Sequence, residues 1–183
     1  PSSAASDVYK RQEYKVIKHI LNSAGIERFT DYQMDMVRLG IGLYGVSASG
    51  QKGLRNISTL KTTILQIQNV PAGDSIGYSR MSYVKRDSRI AIIPIGYADG
   101  LDRHFSNGGG EVVINGHRCP IIGNICMDAC MIDVTDTDAH EGDSVIIFGE
   151  ELPVSELSDK LKTIPYEILT SISPRVKRVY YRE

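Results

Sequence analysis

No apolar run in this sequence approaches the roughly 20 residues that a membrane-crossing helix needs, so no membrane span is expected. Charge of one sign is not in excess either. Lys and Arg number 21 against 22 Asp and Glu, a formal net charge of -1, and no basic stripe is visible, so nothing draws the chain toward nucleic acid or an anionic membrane surface. Cysteine is scarce and odd in number: Cys119, Cys126 and Cys130. The first twelve residues, PSSAASDVYKRQ, have no apolar secretory core, so free thiols in a reducing, cytoplasmic compartment are expected. His117 stands close to the three thiols, yet the spacing offers neither CxxC nor HxxxH, the knuckles that structural zinc usually requires; small buried apolar residues are the better reading. The sequon Asn56-Ile57-Ser58 means little without a secretory signal.

What remains is the composition of a soluble globular chain, 42% hydrophobic and 23% charged, enough for one large domain or two small ones. The leader at residues 1–12 lacks a starting Met and shares no pattern with the residues after it, which marks it as foreign or disordered and the chain as the tail of a longer protein. Residues 13–45 then have their own texture: KVIKHILNS is apolar, GIERFTDYQ is polar, and DMVRLGIGLYG is apolar and glycine-rich. A strand, a short helical connection and a second buried strand fit this pattern, as in the βα units of a parallel barrel, although periodicity alone leaves the first segment open between strand and helix. One and a half such units cannot close a barrel.

From residue 46 the chain turns strand-rich, with strands expected at 59–69, 75–83, 89–96, 111–115, 118–123, 125–134, 143–149 and, at the end, 175–181. Asn115-Gly116, between VVI and another apolar run, is a strong two-residue hairpin signal because both turn positions need positive φ. Ser155 is the expected N-cap of a helix over 155–162, and Pro165 opens a second helix through Ile172. The fold class is therefore mainly β: an antiparallel, barrel-like C-terminal domain over 46–183, preceded by a strand-helix-strand piece.

Candidate chemistry gathers at strand ends. Tyr78 lies beside a glycine in SIGYSR, Tyr97 opens the YADG turn, and Met127-Asp128 interrupt an apolar strand, where the carboxylate needs exposure or a partner. Arg38 sits in VRLGIG, where a guanidinium calls for an acceptor, and Asn22-Ser23 can cap a helix or hold a phosphate. Taken singly, each position also has a bland account as rim packing, a surface ion pair or a plain cap. Composition and spacing alone stop at a β-rich domain with a piece of α/β ahead of it.

The ordered set of motifs goes further. HILNSAG at 19–25, DMVRLGIGLYG at 35–45, SIGYS at 75–79, IPIGYADG at 93–100 and GNICMDACMIDVT at 123–135 together resemble the C-terminal part of alanine racemase, from about residue 14 to the end. That resemblance implies a (β/α)8 barrel carrying pyridoxal 5'-phosphate (PLP), of which residues 13–45 are the closing strands, with the β domain after it. It implies a homodimer in which one subunit's β domain completes the other's site, acting on alanine and supplying D-alanine for peptidoglycan. Position by position, Tyr78 matches the base on the L-face of the substrate. Arg38 matches the arginine that hydrogen-bonds the pyridine nitrogen, and Ser23 with the amides of Gly40 and Ile41 matches the phosphate cradle. Met127 matches the residue whose amide receives the substrate carboxylate, and Asp128 and Tyr97 match positions at the substrate entrance.

Two departures stand out. The family's Schiff-base lysine, in a KANAYGHG-like segment, has no counterpart here, so this chain alone is expected to be inactive. Pro174, in SISPRVKR, stands where many members place a phosphate-binding tyrosine, and proline offers no such donor. The rival readings are a PLP-dependent amino-acid decarboxylase of the same fold type and a noncatalytic β module that dimerises or docks a fused enzyme such as a cell-wall ligase.

Overall fold

The computed structural model describes residues 15–50, 53–80 and 82–181; the expected leader at 1–12 and the start of the first expected strand lie outside the described residues. The chain divides between Arg55 and Asn56 into two compact units.

In the first unit a helix, α1 (Ser23–Arg28), forms where Asn22 offers its side-chain oxygen to the Gly25 N–H at 3.0 Å, satisfying one of the donors that a helix start leaves open. Among the described residues neither of the two flanking strands expected here is formed. The Asp35 N–H donates to the Lys18 carbonyl at 3.1 Å and the Arg38 N–H to the Leu21 carbonyl at 2.9 Å, so the segments run in the same direction. Those two bonds lie three residues apart, and the Asp35 carboxylate takes the Lys18 N–H (2.9 Å) that a regular ladder would use. The second segment ends in a 3-10 turn, Ile41–Tyr44, closed by Gly45 at φ +77.

The second unit is a seven-stranded antiparallel sheet built from β1 (Leu60–Thr63), β2 (Gln66–Val70), β5 (Ser88–Ile93), β6 (Glu111–Ile114), β7 (His117–Ile122), β8 (Cys130–Asp133) and β9 (Ser144–Phe148), in the order β1-β9-β6-β7-β8-β5-β2. The two strands at its ends are consecutive in the chain, separated only by Ile64 and Leu65, whose N–H groups reach Asp143 and Ile92 on opposite sides. The run expected as one strand, 59–69, therefore breaks in the middle and curls the sheet back on itself. Alternation buries Val112, Cys119, Ile121, Cys130, Ile132, Val145 and Ile147 inside the curl, the pattern of a sheet with one face dry. Asn115 at φ +49 and Gly116 at φ +77 make the expected hairpin, with Ile114 opposite His117.

The span expected as a strand at 75–83 is a hairpin instead: β3 (Ser75–Ile76) and β4 (Ser82–Tyr83) pair across a 3-10 turn, Tyr78–Arg80. Gly77 (φ +75) and Arg80 (φ +50) reverse the chain there. This hairpin covers the sheet's other face, where Ile76 packs with Val84 and Ile90 and against Val70, Ile122 and Met131. Of the strand expected over 125–134 only β8 forms, because the earlier carbonyls are taken by the Tyr97 turn. Pro94, which has no N–H to give, lies just beyond the end of β5 at Ile93.

Two helices come after the sheet. The first, α2 (Val154–Leu161), has Pro153, not Ser155, at its cap position; Ser155 lies inside the first turn and its carbonyl accepts from Ser158. Arg118 and Lys160 link α2 to the sheet through Glu156 and Glu111. The second, α3 (Pro165–Ser171), starts with its proline as expected. Residues 175–181 form no strand, and Tyr180 is 86% exposed. No helix among the described residues is long and apolar enough to cross a membrane.

Candidate active site

The Tyr97 turn is built to lie on the Met127 loop. Gly96 precedes a 3-10 turn, Tyr97–Asp99, and the Asp99 carboxylate accepts the Gly96 N–H at 2.9 Å, closing the turn on itself. The Tyr97 and Ala98 N–H groups then donate to the carbonyls of Cys126 (3.0 Å) and Met127 (3.1 Å). A Cβ on Gly96 would stand 2.3 Å from the Cys126 oxygen and 2.4 Å from the Met127 oxygen, so only glycine permits this approach. With its carbonyl engaged, Met127 has no acceptor for its own N–H among the described residues, and the residue is exposed. Tyr97 is half-exposed, with the Arg103 guanidinium 5.9 Å from its ring centre.

The tail adds a residue that sequence reasoning missed. Ser173 donates its N–H to the Asp99 carbonyl at 3.0 Å, and Arg175 bonds both Asp99 (2.7 Å) and Asp128 (2.6 Å). Asp128 has the partner its position called for. The double ion pair, Asp99 foremost, raises the guanidinium above the ordinary arginine range. SISPR was visible in the sequence, but nothing local joins Arg175 to a turn 76 residues earlier.

Tyr78 is 73% exposed at the tip of the β3–β4 hairpin. Its neighbour Gly77 lies close to the Met131 side chain and the Asn124 backbone, so the tip stands beside the approach to the Met127 loop. Tyr97, Met127, Asp128 and, through Gly77, the Tyr78 turn thus share one region of the second unit.

Within the first unit, the buried Ser23 hydroxyl accepts from the Gly40 N–H (2.8 Å) and the Gly42 N–H (3.3 Å). Its own proton is left to donate, and Ile41 heads the 3-10 turn just after Gly40. Gly42 was not among the residues expected here. Arg38, expected in a buried strand, is exposed and gives one Nη2 bond to the Ile20 carbonyl at 3.1 Å, leaving donors outward. Glu27, also unanticipated, accepts from the hydroxyls of Ser47 and Ser49 and from the N–H groups of Ala48 and Ser49, tying the chain beyond the turn to α1; the Ser49 hydroxyl bond foremost lowers its pKa.

Comparison with known proteins covers both units. Residues 57–180 match the family model described as alanine racemase, C-terminal domain, and residues 2–48 match alanine racemase, N-terminal domain. Alanine racemase 2 of Caldanaerobacter subterraneus subsp. tengcongensis is 44% identical over 188 residues, covering 96% of this chain and 48% of the relative. Among solved structures, alanine racemase from Bartonella henselae with covalently bound pyridoxal phosphate superposes with a TM-score of 0.87 at 37% identity, over 98% of this chain and 53% of that one. Alanine racemase from Bacillus anthracis with bound L-Ala-P gives a TM-score of 0.88 at 34% identity, over 97% and 48%. The chain spans about half the length of the relatives it matches.

Proposed function

Because this chain belongs to the alanine racemase family, we propose that it forms the C-terminal part of a PLP-dependent enzyme interconverting L- and D-alanine. The observation that carries this reading is the docking of the Tyr97 turn on the Met127–Asp128 loop beside the Tyr78 hairpin, in a chain whose two units match the two domains of that family.

The residues of the first unit fit the cofactor. The Ser23 hydroxyl proton and the Ile41 amide are neutral donors suited to a phosphate, while the Gly40 amide, matched to the same cradle, is spent on the Ser23 oxygen and holds that hydroxyl in place. Arg38 has outward donors for the pyridine nitrogen, and a guanidinium that holds its own protons keeps that nitrogen unprotonated. Within this unit the Ser23 hydroxyl and the Ile41 amide carry the hydrogen bonding to the phosphate. When bound, the cofactor draws electrons from the substrate α-carbon and makes its proton acidic.

Within the second unit, the Met127 N–H receives the substrate carboxylate, and Asp128 and Tyr97 border the entrance. Tyr78 takes or returns the α-proton on the L-face, in the site of a second copy of the chain within a homodimer. The D-alanine formed serves peptidoglycan in the cytoplasm. A chain without the Schiff-base lysine supplies no D-face base, so these 183 residues alone turn nothing over.

The test uses the full-length protein. Tyr78→Phe should retain PLP, judged by its absorbance, while racemisation falls by about 10²- to 10⁴-fold, the usual worth of a positioned general base. In D2O, the α-hydrogen of D-alanine should still exchange while that of L-alanine does not. Racemisation at the unaltered rate sinks the assignment.

A further inference from the structure

We propose that Asn107 is a positioning residue that sets the Tyr78 hairpin against the Met127 loop; the inference rests on the racemase reading above. Asn107 lies in neither segment. It comes after the 3-10 turn Arg103–Phe105, and its φ of +55 falls in the left-handed region, which asparagine adopts more readily than other residues with a Cβ.

That conformation aims both ends of one amide at two different partners. The Ser82 hydroxyl donates to Asn107 Oδ1 at 2.5 Å, and Asn107 Nδ2 donates to Asn124 Oδ1 at 3.0 Å. The carbonyl end accepts and the NH2 end donates, each in its proper sense. Ser82 is four residues after Tyr78, in the returning strand of its hairpin, and Asn124 is three residues before Met127. The backbone around Asn107 is fixed to the same loop: Asn107 N–H to the Gly123 carbonyl (2.9 Å), Gly108 N–H to the Ile121 carbonyl (2.7 Å), and Ile125 N–H to the Ser106 hydroxyl (3.0 Å). Asn107 is thus anchored to the Met127 side by its backbone and reaches the Tyr78 side through a single hydroxyl.

Asn107 is exposed, and exposed hydrogen bonds exchange with water at little net cost. The bridge therefore contributes little to stability. What it fixes is the relative placement of two loops, one carrying a base and one a carboxylate receptor, and reacting groups held by loops lose rate steeply when displaced. Arg175 holds the Met127–Asp128 loop from its other end.

The experiment is steady-state kinetics of the full-length PLP-loaded enzyme with L-alanine, for Ser82→Ala, Asn124→Ala, Asn107→Gly and Asn107→Asp, beside Tyr78→Phe. Ser82→Ala frees only the base side and should lower kcat about tenfold with KM nearly unchanged. Asn124→Ala frees only the carboxylate side and should raise KM several-fold with kcat nearly unchanged. Asn107→Gly keeps the backbone conformation and should do both. Asn107→Asp keeps the acceptor for Ser82 and should recover kcat more than KM. Melting temperatures should stay close to that of the unaltered enzyme. Unaltered kinetics in both Ser82→Ala and Asn124→Ala overturn the proposal, as does a common fall of kcat and melting temperature in all variants. Those two variants decide even where Asn107→Gly fails to fold. Should Tyr78→Phe racemise normally, the parent reading fails and this inference falls with it; with Tyr78→Phe inactive, the Ser82 and Asn124 results judge the bridge alone.

Discussion

Arg175 bonds Asp99 and Asp128 at once, Nε to Asp99 Oδ1 at 2.7 Å and Nη2 to Asp128 Oδ1 at 2.6 Å, and so joins the tail, the Tyr97 turn and the Met127 loop. Asp99 is the better buried of the two carboxylates, at 14% side-chain exposure against 63% for Asp128, and it also holds the Gly96 N–H.

Arg175→Met keeps the aliphatic stem and removes the fork. Partly exposed ion pairs are worth about 0–1 kcal/mol, so unfolding should shift little. Asp128 would lose its anchor beside Met127, and KM for alanine in the full-length enzyme should rise several-fold with kcat less affected. Arg175→Lys should recover only part of the loss, because one ammonium cannot reproduce the fork between two carboxylates. Equal kinetics in Arg175→Met and the unaltered enzyme would show that the tail does not set the Met127 loop.

Gly96→Ala should be far more costly than its size suggests. Gly96 has φ -145, which any residue adopts, so the penalty is purely one of space. The added methyl meets two backbone oxygens that cannot swing aside as a side chain would. A loss of about 3 kcal/mol, at the upper end for overpacking, is expected in urea unfolding, together with lower activity. An unchanged midpoint would mean that the two loops can separate freely.

These two positions also show where the sequence is readable and where it is not. Asn115-Gly116 announced its hairpin because both residues of that turn must take positive φ, and no tertiary contact is needed to know it. YADG and CMD stood out as candidate site segments, but their mutual docking is made by backbone groups that carry no sequence signature. The stretch 75–83 reads as one strand because alternation does not reveal that Arg80, a residue with a Cβ, turns left-handed. Residues 175–181 are rich in valine and tyrosine and were expected as a strand, yet Arg175 is held by carboxylates and no strand among the described residues pairs with the tail. Arg38 was expected inside a strand, but its segment meets the 18–21 run through only two backbone bonds set three residues apart, too irregular for a ladder. Long-range ion pairs and edge pairing depend on which segments the fold brings together, which composition and period cannot tell.

Cys119 and Cys130 predict a pH dependence with a definite sign. Both side chains are buried in the curl of the sheet, and burial pushes their thiols up to about 11 and about 12. In the unfolded chain they ionise near 9. Between those values the native state holds more protons than the unfolded state, so stability must fall as pH rises. The contribution is intact below pH 9 and is lost progressively up to the folded values. Each thiol adds a slope of at most about 1.4 kcal/mol per pH unit. Denaturant midpoints measured at pH 8, 9 and 10 should decrease in that order, and Cys119→Ala with Cys130→Ala should flatten the trend at the cost of a small cavity. Native alkylation at pH 8 should leave both thiols unmodified; their rapid labelling would show that the sheet opens.

Ser23→Ala separates a structural duty from a binding one. The hydroxyl is buried and accepts from both Gly40 and Gly42, so its removal leaves two backbone N–H groups without their acceptor, a cost of about 1–3 kcal/mol. Hydrogen exchange at these two amides should therefore accelerate even without cofactor. The same hydroxyl is the proposed donor to the phosphate. In the full-length enzyme PLP affinity should fall about tenfold, the equivalent of one hydrogen bond to a charged group, as read from absorbance titration of the apoenzyme. Faster exchange with unchanged PLP affinity would confine Ser23 to holding the turn. Unchanged exchange with weakened PLP would instead mean that the Gly40 and Gly42 amides find another acceptor and that the serine acts on the phosphate alone.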